Sequence, residues 1–172
     1  MEGPPSPNTP DSTQSSGPIS LRPATDEDLG RLADLETRLQ VAPWTVDHFR
    51  TEIAKPYSNV CVLTDDETDT VIHGYIVFWL MPDACQVLNI AVDLPHRGLG
   101  LARLMLRRAI DQAMKQNIDK ATLDVRKSNQ PALQLYQSLN FTIDHIRKNF
   151  YSNGEDAYQL TLHIKEDVLH YF

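Results

Sequence analysis

The sequence predicts an α/β mixture of antiparallel hairpins, with one strand–helix–strand unit in its second half. Three observations predict it. Two long apolar runs of strand length, 71–80 and 85–92, flank a Pro82-Asp83 turn and read as a hairpin. An amphipathic helical stretch follows the second run after a two-glycine loop at 98–100. A further strand at 120–125 and a helix at 130–139 then precede two closing strands.

Each element has its own signal. Residues 1–18 read MEGPPSPNTPDSTQSSGP, thirteen of them Pro, Ser, Thr or Gly, with no Leu, Ile, Val or Phe. Such a segment cannot bury enough apolar surface to offset its ordering entropy. It is expected to be a disordered tail ahead of one domain spanning 19–172. Residues 19–22 make a short strand candidate. Thr25 offers N-cap chemistry to a helix with Leu29, Leu32, Ala33, Leu35 and Leu39 on its apolar stripe. Pro43 is expected to end that helix. Thr45 caps the next, which carries Val46, Phe49 and Ile53. Residues 59–63 read as a strand, and the acidic stretch 65–69 as a solvated hairpin tip. The helix after the glycines should run to about Gln116, burying Ala102, Met105, Leu106, Ala109, Ile110 and Ala113 while Arg103, Arg107 and Arg108 face solvent. Residues 142–147 and 157–164 close the sheet around a Ser152-Asn153-Gly154 turn.

Composition excludes several classes. The chain of 172 residues has 16 Lys and Arg against 23 Asp and Glu, a formal charge of −7. A nucleic-acid surface needs clustered cations, so direct nucleic-acid binding is not expected. A basic peptide is compatible with this charge. The apolar run 71–81 is too short to span a bilayer, and no secretion signal opens the chain, so a cytoplasmic protein without membrane attachment is expected. Cys61 and Cys85 lie in apolar stretches and read as buried reduced thiols. With six scattered His and no ligand spacing, no metal is expected.

The most specific segment is 87–103. A strand ends in Asn89-Ile90-Ala91-Val92-Asp93, the loop Arg97-Gly98-Leu99-Gly100 follows, and a helix opens with Leu101-Ala102-Arg103. Glycine lets backbone N–H groups approach a ligand, and the free N–H groups of a helix start suit a pyrophosphate. The plain alternative is a turn in which glycine only relieves strain. Three glycines of a dinucleotide fingerprint and the Lys-Ser/Thr of a Walker loop are both absent.

Arg97-Gly98-Leu99-Gly100-Leu101-Ala102 resembles the acetyl-CoA loop of the GNAT acetyltransferases, Gln/Arg-x-x-Gly-x-Gly/Ala. Further pieces agree in order and spacing. They are Glu36 with Pro43-Trp44-Thr45, Asn89-Ile90-Ala91-Val92-Asp93, Asp124-Val125-Arg126-Lys127-Ser128-Asn129, Leu135-Tyr136-Gln137-Ser138-Leu139-Asn140-Phe141, and Asn149-Phe150-Tyr151 with Glu155-Asp156-Ala157. Together they resemble the bacterial branch that acetylates the N-terminal alanine of a small-subunit ribosomal protein.

The resemblance implies a GNAT fold, a mixed and mostly antiparallel sheet flanked by helices. It implies acetyl-CoA as co-substrate and a protein N-terminus as partner, the amine attacking the thioester directly. Residues 97–103 would anchor the cofactor: Arg97, Gly98, Leu99, Gly100, Leu101, Ala102 and Arg103. The thioester and pantetheine would pair with backbone at Ile90, Ala91 and Val92, with an oxyanion donor near Val92. Asp124 falls on the general base, where relatives usually carry Glu, and Tyr136 on the general acid. Asn129 would touch the pantetheine arm, and Trp44 and Tyr151 would border the acceptor, with Glu155 and Asp156 nearby.

Plainer readings stand beside these. Asp124 would merely pair with Arg126 or Lys127. Tyr136 would pack in a stripe with Leu133 and Leu139, Asn129 would be an N-cap, and Trp44 would be buried. Ala84 and Gln86 stand where relatives often place a Glu. Asn140 replaces a customary Gly, a mild change because Asn tolerates left-handed backbone. A small-amine or lysine acetyltransferase of the same superfamily and a non-catalytic acyl-CoA-binding module remain the alternatives.

Overall fold

The computed structural model describes residues 19–65 and 71–164; the expected tail and most of the acidic tip lie outside the described residues. Seven strands form: β1 (Ile19–Pro23), β2 (Ser58–Asp65), β3 (Ile72–Leu80), β4 (Cys85–Val92), β5 (Lys120–Arg126), β6 (Thr142–Arg147) and β7 (Ala157–His163). Four α-helices accompany them: α1 (Leu29–Leu39), α2 (Val46–Ile53), α3 (Leu101–Lys115) and α4 (Gln130–Gln137). The strands make one sheet in the order β1-β2-β3-β4-β5-β7-β6. Every pairing is antiparallel except β4 with β5, which α3 connects as a crossover. The sheet is thus mixed and mostly antiparallel.

Strand β3 explains the two cores. Its apolar run is buried on both faces from Ile72 to Phe78. Because side chains alternate, Ile76 and Phe78 join a cluster under α3 and α4, while Tyr75 and Val77 join one under α1 and α2. Cys61 and Cys85 are buried free thiols, and burial pushes them up to about 11 and about 12. They are inert, unionised groups at neutral pH.

Two expected elements shift. The first helix ends at Leu39, four residues before Pro43, because Gln40 is already extended. Its start is a 3-10 turn, Asp26–Asp28, where the Asp28 carboxylate accepts from the Thr25 N–H at 2.8 Å. On α3, Leu101 rather than Ala102 is buried, and Ala102 is left half-exposed. Asn140 adopts φ +63°, the left-handed cap its side chain tolerates.

What positions the site is a parting of strands. β4 pairs with β3 along its length, from Leu80–Cys85 to Gly74–Val92. It pairs with β5 at only three positions, Cys85–Ala121, Gln86–Thr122 and Val87–Leu123. Opposite β3, Val77 faces Asn89 and Phe78 faces Val87, so Leu88 is an extra residue. A bulge of this kind bends its strand and increases the local twist. Beyond Val87 and Leu123 the two strands separate and a cleft opens between them.

Candidate active site

Two clefts meet where the strands part. One lies between β4 and the amino end of α3, lined by Ile90, Ala91, Val92 and the loop residues Arg97, Gly98 and Gly100, with α4 on its far wall. The other is lined by Glu36, Trp44, Asp124 and Tyr151. Gln40, Ile90, Asn129 and Tyr136 line both, so Tyr136 stands at the junction.

The first cleft sets an unpaired strand edge, a glycine loop and a helix start against side chains of α4. Gly98 has φ +79° and Gly100 φ +76°, and a Cβ at either would meet open space. Their requirement is therefore conformational and not one of crowding. The Leu104 N–H bonds to the Gly100 carbonyl at 3.0 Å. The N–H groups of Leu101, Ala102 and Arg103 consequently have no acceptor within the helix, and the positive end of a 15-residue helix faces the cleft. Arg97 Nε donates to the Val92 carbonyl at 3.1 Å, tying the loop to the strand. Arg103 keeps part of the solvent contact expected from its position and gains a partner as well. Its guanidinium donates to Ser138 Oγ at 2.7 Å and joins α3 to the end of α4. Leu99 is exposed beside these residues. This arrangement suits a phosphate-bearing ligand with an extended arm. Asn129 serves as the expected N-cap, its Oδ1 accepting from the Ala132 N–H at 3.2 Å, and borders both clefts as well.

The second cleft is made of side chains. Asp124 does not pair with Arg126 or Lys127. Arg126 is committed to Glu155 at 3.0 Å and Lys127 to Asp156 at 3.1 Å. The partner of Asp124 is Arg147, whose Nη1 donates to Oδ2 at 2.7 Å. Tyr136 packs with Leu133 and Leu139 as its stripe predicts, and it also reaches the cleft. Burial, and secondarily Tyr151, pushes the Tyr136 phenol well above its ordinary value. It is protonated at neutral pH and available as a donor.

Trp44 is half-buried, its ring 5.4 Å from that of Phe49, and borders the cleft. Tyr151 lies under the Arg126 guanidinium, 3.7 Å from its ring centroid. Burial raises the Tyr151 phenol most, the cation of Arg126 opposes the rise, and Asp124 and Glu155 add to it. Glu155 and Asp156 are not open carboxylates awaiting a substrate. Glu155 accepts from the Ser128 N–H and hydroxyl and from Arg126, which hold it down to about 2. Asp156 accepts from the Asn149 N–H, Lys148 and Lys127, which hold it far below the usual carboxylate range. Together they clasp the β6–β7 connection to the loop after β5.

Glu36 received no role from the sequence, yet it forms part of this cleft. Its carboxylate is fully buried. It accepts from the Trp44 N–H at 2.8 Å, from Asn89 Nδ2 at 3.1 Å and from the Tyr75 hydroxyl. Burial raises it despite these donors. The available signal was a Glu set one turn from Leu32 on an otherwise apolar stripe.

Residues 29–141 match the family described as Acetyltransferase (GNAT). The Salmonella typhimurium (strain LT2) protein named [ribosomal protein bS18]-alanine N-acetyltransferase is 31% identical over 149 residues, covering 85% of this chain and 97% of its own. The crystal structure of the ribosomal-protein-S18-alanine N-acetyltransferase from Escherichia coli superposes with a TM-score of 0.75 at 29% identity, covering 85% of this chain and 94% of its own. Arabidopsis thaliana NAA60 in complex with acetyl-CoA shares the fold, with a TM-score of 0.77 at 17% identity, over 86% of this chain and 99% of its own. With its parted strands, its glycine loop at a helix start and a family match over most of its folded length, the chain belongs to the GNAT family of acetyltransferases.

Proposed function

We propose that this protein transfers the acetyl group of acetyl-CoA to the α-amino group of a protein N-terminus, and that the acceptor is the N-terminal alanine of ribosomal protein bS18, the substrate in the Salmonella relative's name. The observation that carries the reading is the junction of two clefts at Tyr136, with Asp124 on the acceptor side and free helix N–H groups on the other. Its setting would be the cytoplasm, where ribosomal proteins are made.

The amides of 98–103 and the positive end of α3 hold the pyrophosphate, with Arg97 and Arg103 bracing loop and helix. The β4 backbone at Ile90, Ala91 and Val92 has no β5 partner and takes the pantetheine arm, with Asn129 beside it. Bound acetyl-CoA supplies a thioester carbon open to attack. The α-amine enters between Trp44 and Tyr151. An α-amino group titrates near 8, so roughly a tenth is neutral at pH 7, against fewer than about one in a thousand lysine side chains. Asp124 accepts the amine proton as the C–N bond forms, through a water where its short side chain does not reach. A backbone N–H near Val92 donates to the developing oxyanion. As the C–S bond breaks, Tyr136 gives its proton to the departing thiolate.

The test is thiol release from acetyl-CoA with three acceptors: a peptide beginning with Ala, an N-blocked peptide whose amine is Lys, and a polyamine. Release with the Ala peptide alone is expected. Release with the Lys peptide or polyamine instead replaces the substrate class. Cofactor binding with no release from any acceptor overturns the enzyme.

A further inference from the structure

The two oxygens of Asp124 are not equivalent. Oδ2 accepts from Arg147 at 2.7 Å. Oδ1 is shut away from solvent and accepts no hydrogen bond among the described residues. A buried carboxylate oxygen without a donor is costly, and such groups are kept where a proton or ligand arrives. Nothing in an isolated Asp distinguishes its oxygens, because its last torsion is broad and two-fold. Here the guanidinium makes the distinction.

Arg147 must cross the sheet to do so. β7 lies between β5 and β6, with Asp124 opposite Gln159 and Arg147 opposite Ala157. Asp124 and Arg147 therefore sit two strand spacings apart and two residues out of line, about 12 Å. Only a long side chain spans that distance. From the other side the Phe150 ring supports the guanidinium, 4.4 Å from centroid to Cζ. Phe150 in turn packs edge-on against Tyr151 at 5.1 Å, and Tyr151 lines the acceptor cleft. The neighbouring cations Arg126, Lys127 and Lys148 are committed to Glu155 and Asp156.

We propose that Arg147 is a positioning residue, holding Asp124 by Oδ2 and so fixing the carboxylate at the wall of the acceptor cleft. This rests on Asp124 being the general base. The experiment is a double-mutant cycle in the thiol-release assay with the Ala peptide, using wild type, R147M, D124N and D124N/R147M, with R147K as the conservative variant. R147M is expected to lower kcat about tenfold, with KM for acetyl-CoA and the thermal midpoint held. R147K should recover part of the loss, since its ammonium still reaches Oδ2 as a point donor. In the D124N background, R147M should cost nothing further.

An R147M enzyme with wild-type kcat sinks the proposal while leaving Asp124 in place. So does a tenfold loss repeated in the D124N background, because Arg147 would then act apart from Asp124. If R147M fails to fold, the R147K variant carries the test, and a wild-type kcat there sinks the proposal. D124N with wild-type kcat overturns the base itself, and the role of Arg147 falls with it.

Discussion

The two clefts that meet at Tyr136 are built from different materials. The side proposed for the cofactor offers backbone as polar groups, from an unpaired strand edge, a loop with two left-handed glycines and the start of α3, facing side chains of α4. The acceptor side is a side-chain surface, in which Glu36, Asp124 and Tyr151 are each held by partners distant in sequence or across a turn. A backbone surface tolerates most substitutions because its ligands are N–H groups. A side-chain surface is specific and easily retuned. This division suits a family in which the donor is constant and the acceptor varies.

The largest expected effect lies at the junction. Tyr136→Phe removes the hydroxyl and leaves the ring that packs against Phe141 at 6.1 Å. A lost general acid costs about 10²- to 10⁴-fold in rate. We expect kcat to fall by at least about 100-fold, with the melting midpoint and the Kd for acetyl-CoA unchanged. Initial rates and calorimetric binding check both parts. A Phe variant with near-normal kcat would return Tyr136 to a packing role and leave the thiolate to be protonated by solvent.

A middle-sized effect separates the two surfaces directly. Gly100→Ala asks an L residue to hold φ +76°, with no steric neighbour to blame. The left-handed conformation costs roughly 1–2 kcal/mol for such a residue, about five- to thirtyfold in an equilibrium. That cost should appear as a raised KM for acetyl-CoA, with the peptide KM close to wild type. If the peptide KM rises equally, the two clefts are not separable and the contrast between them fails.

Much of the first surface was legible in the sequence, and much of the second was not. The loop could be read because its chemistry is local: strand, two glycines and helix lie in one stretch of 17 residues, 87–103. The β4 boundaries, the Thr45 cap and the left-handed Asn140 follow from equally local rules. The acceptor side depends on pairs that no local pattern encodes. Glu36 meets Tyr75 across 39 residues and Asn89 across 53. Arg147 meets Asp124 across 23, reaching over β7, which lies between β5 and β6. A sequence reading that assigns Asp124 a cation takes the nearest ones, Arg126 and Lys127, whereas both turn toward the Glu155-Asp156 clasp. The Ser138 partner of Arg103 is hidden from a sequence reading for the same reason, being 35 residues away.

The smallest effect probes that clasp, and it runs with pH. Glu155 is held down to about 2 by Ser128 first and Arg126 second, against a value near 4.3 in an unfolded chain. A carboxylate depressed on folding stabilises the native state above its unfolded value, and the contribution disappears as pH falls toward the folded one. Asp156 is depressed in the same direction by Asn149, Lys148 and Lys127. The thermal midpoint of Glu155→Gln should therefore lie below wild type at pH 7, and the gap should close between about pH 4 and pH 2. The groups are partly exposed, so added salt should narrow the gap at pH 7 as well. Because the clasp holds Tyr151 and the loop after β5, the peptide KM should rise in this variant while the KM for acetyl-CoA stays put. A midpoint gap that does not change with pH would mean that Glu155 acts through shape and not charge. The acceptor wall would then be packed rather than electrostatically fastened, and its contrast with the backbone-built cofactor side would be one of specificity alone.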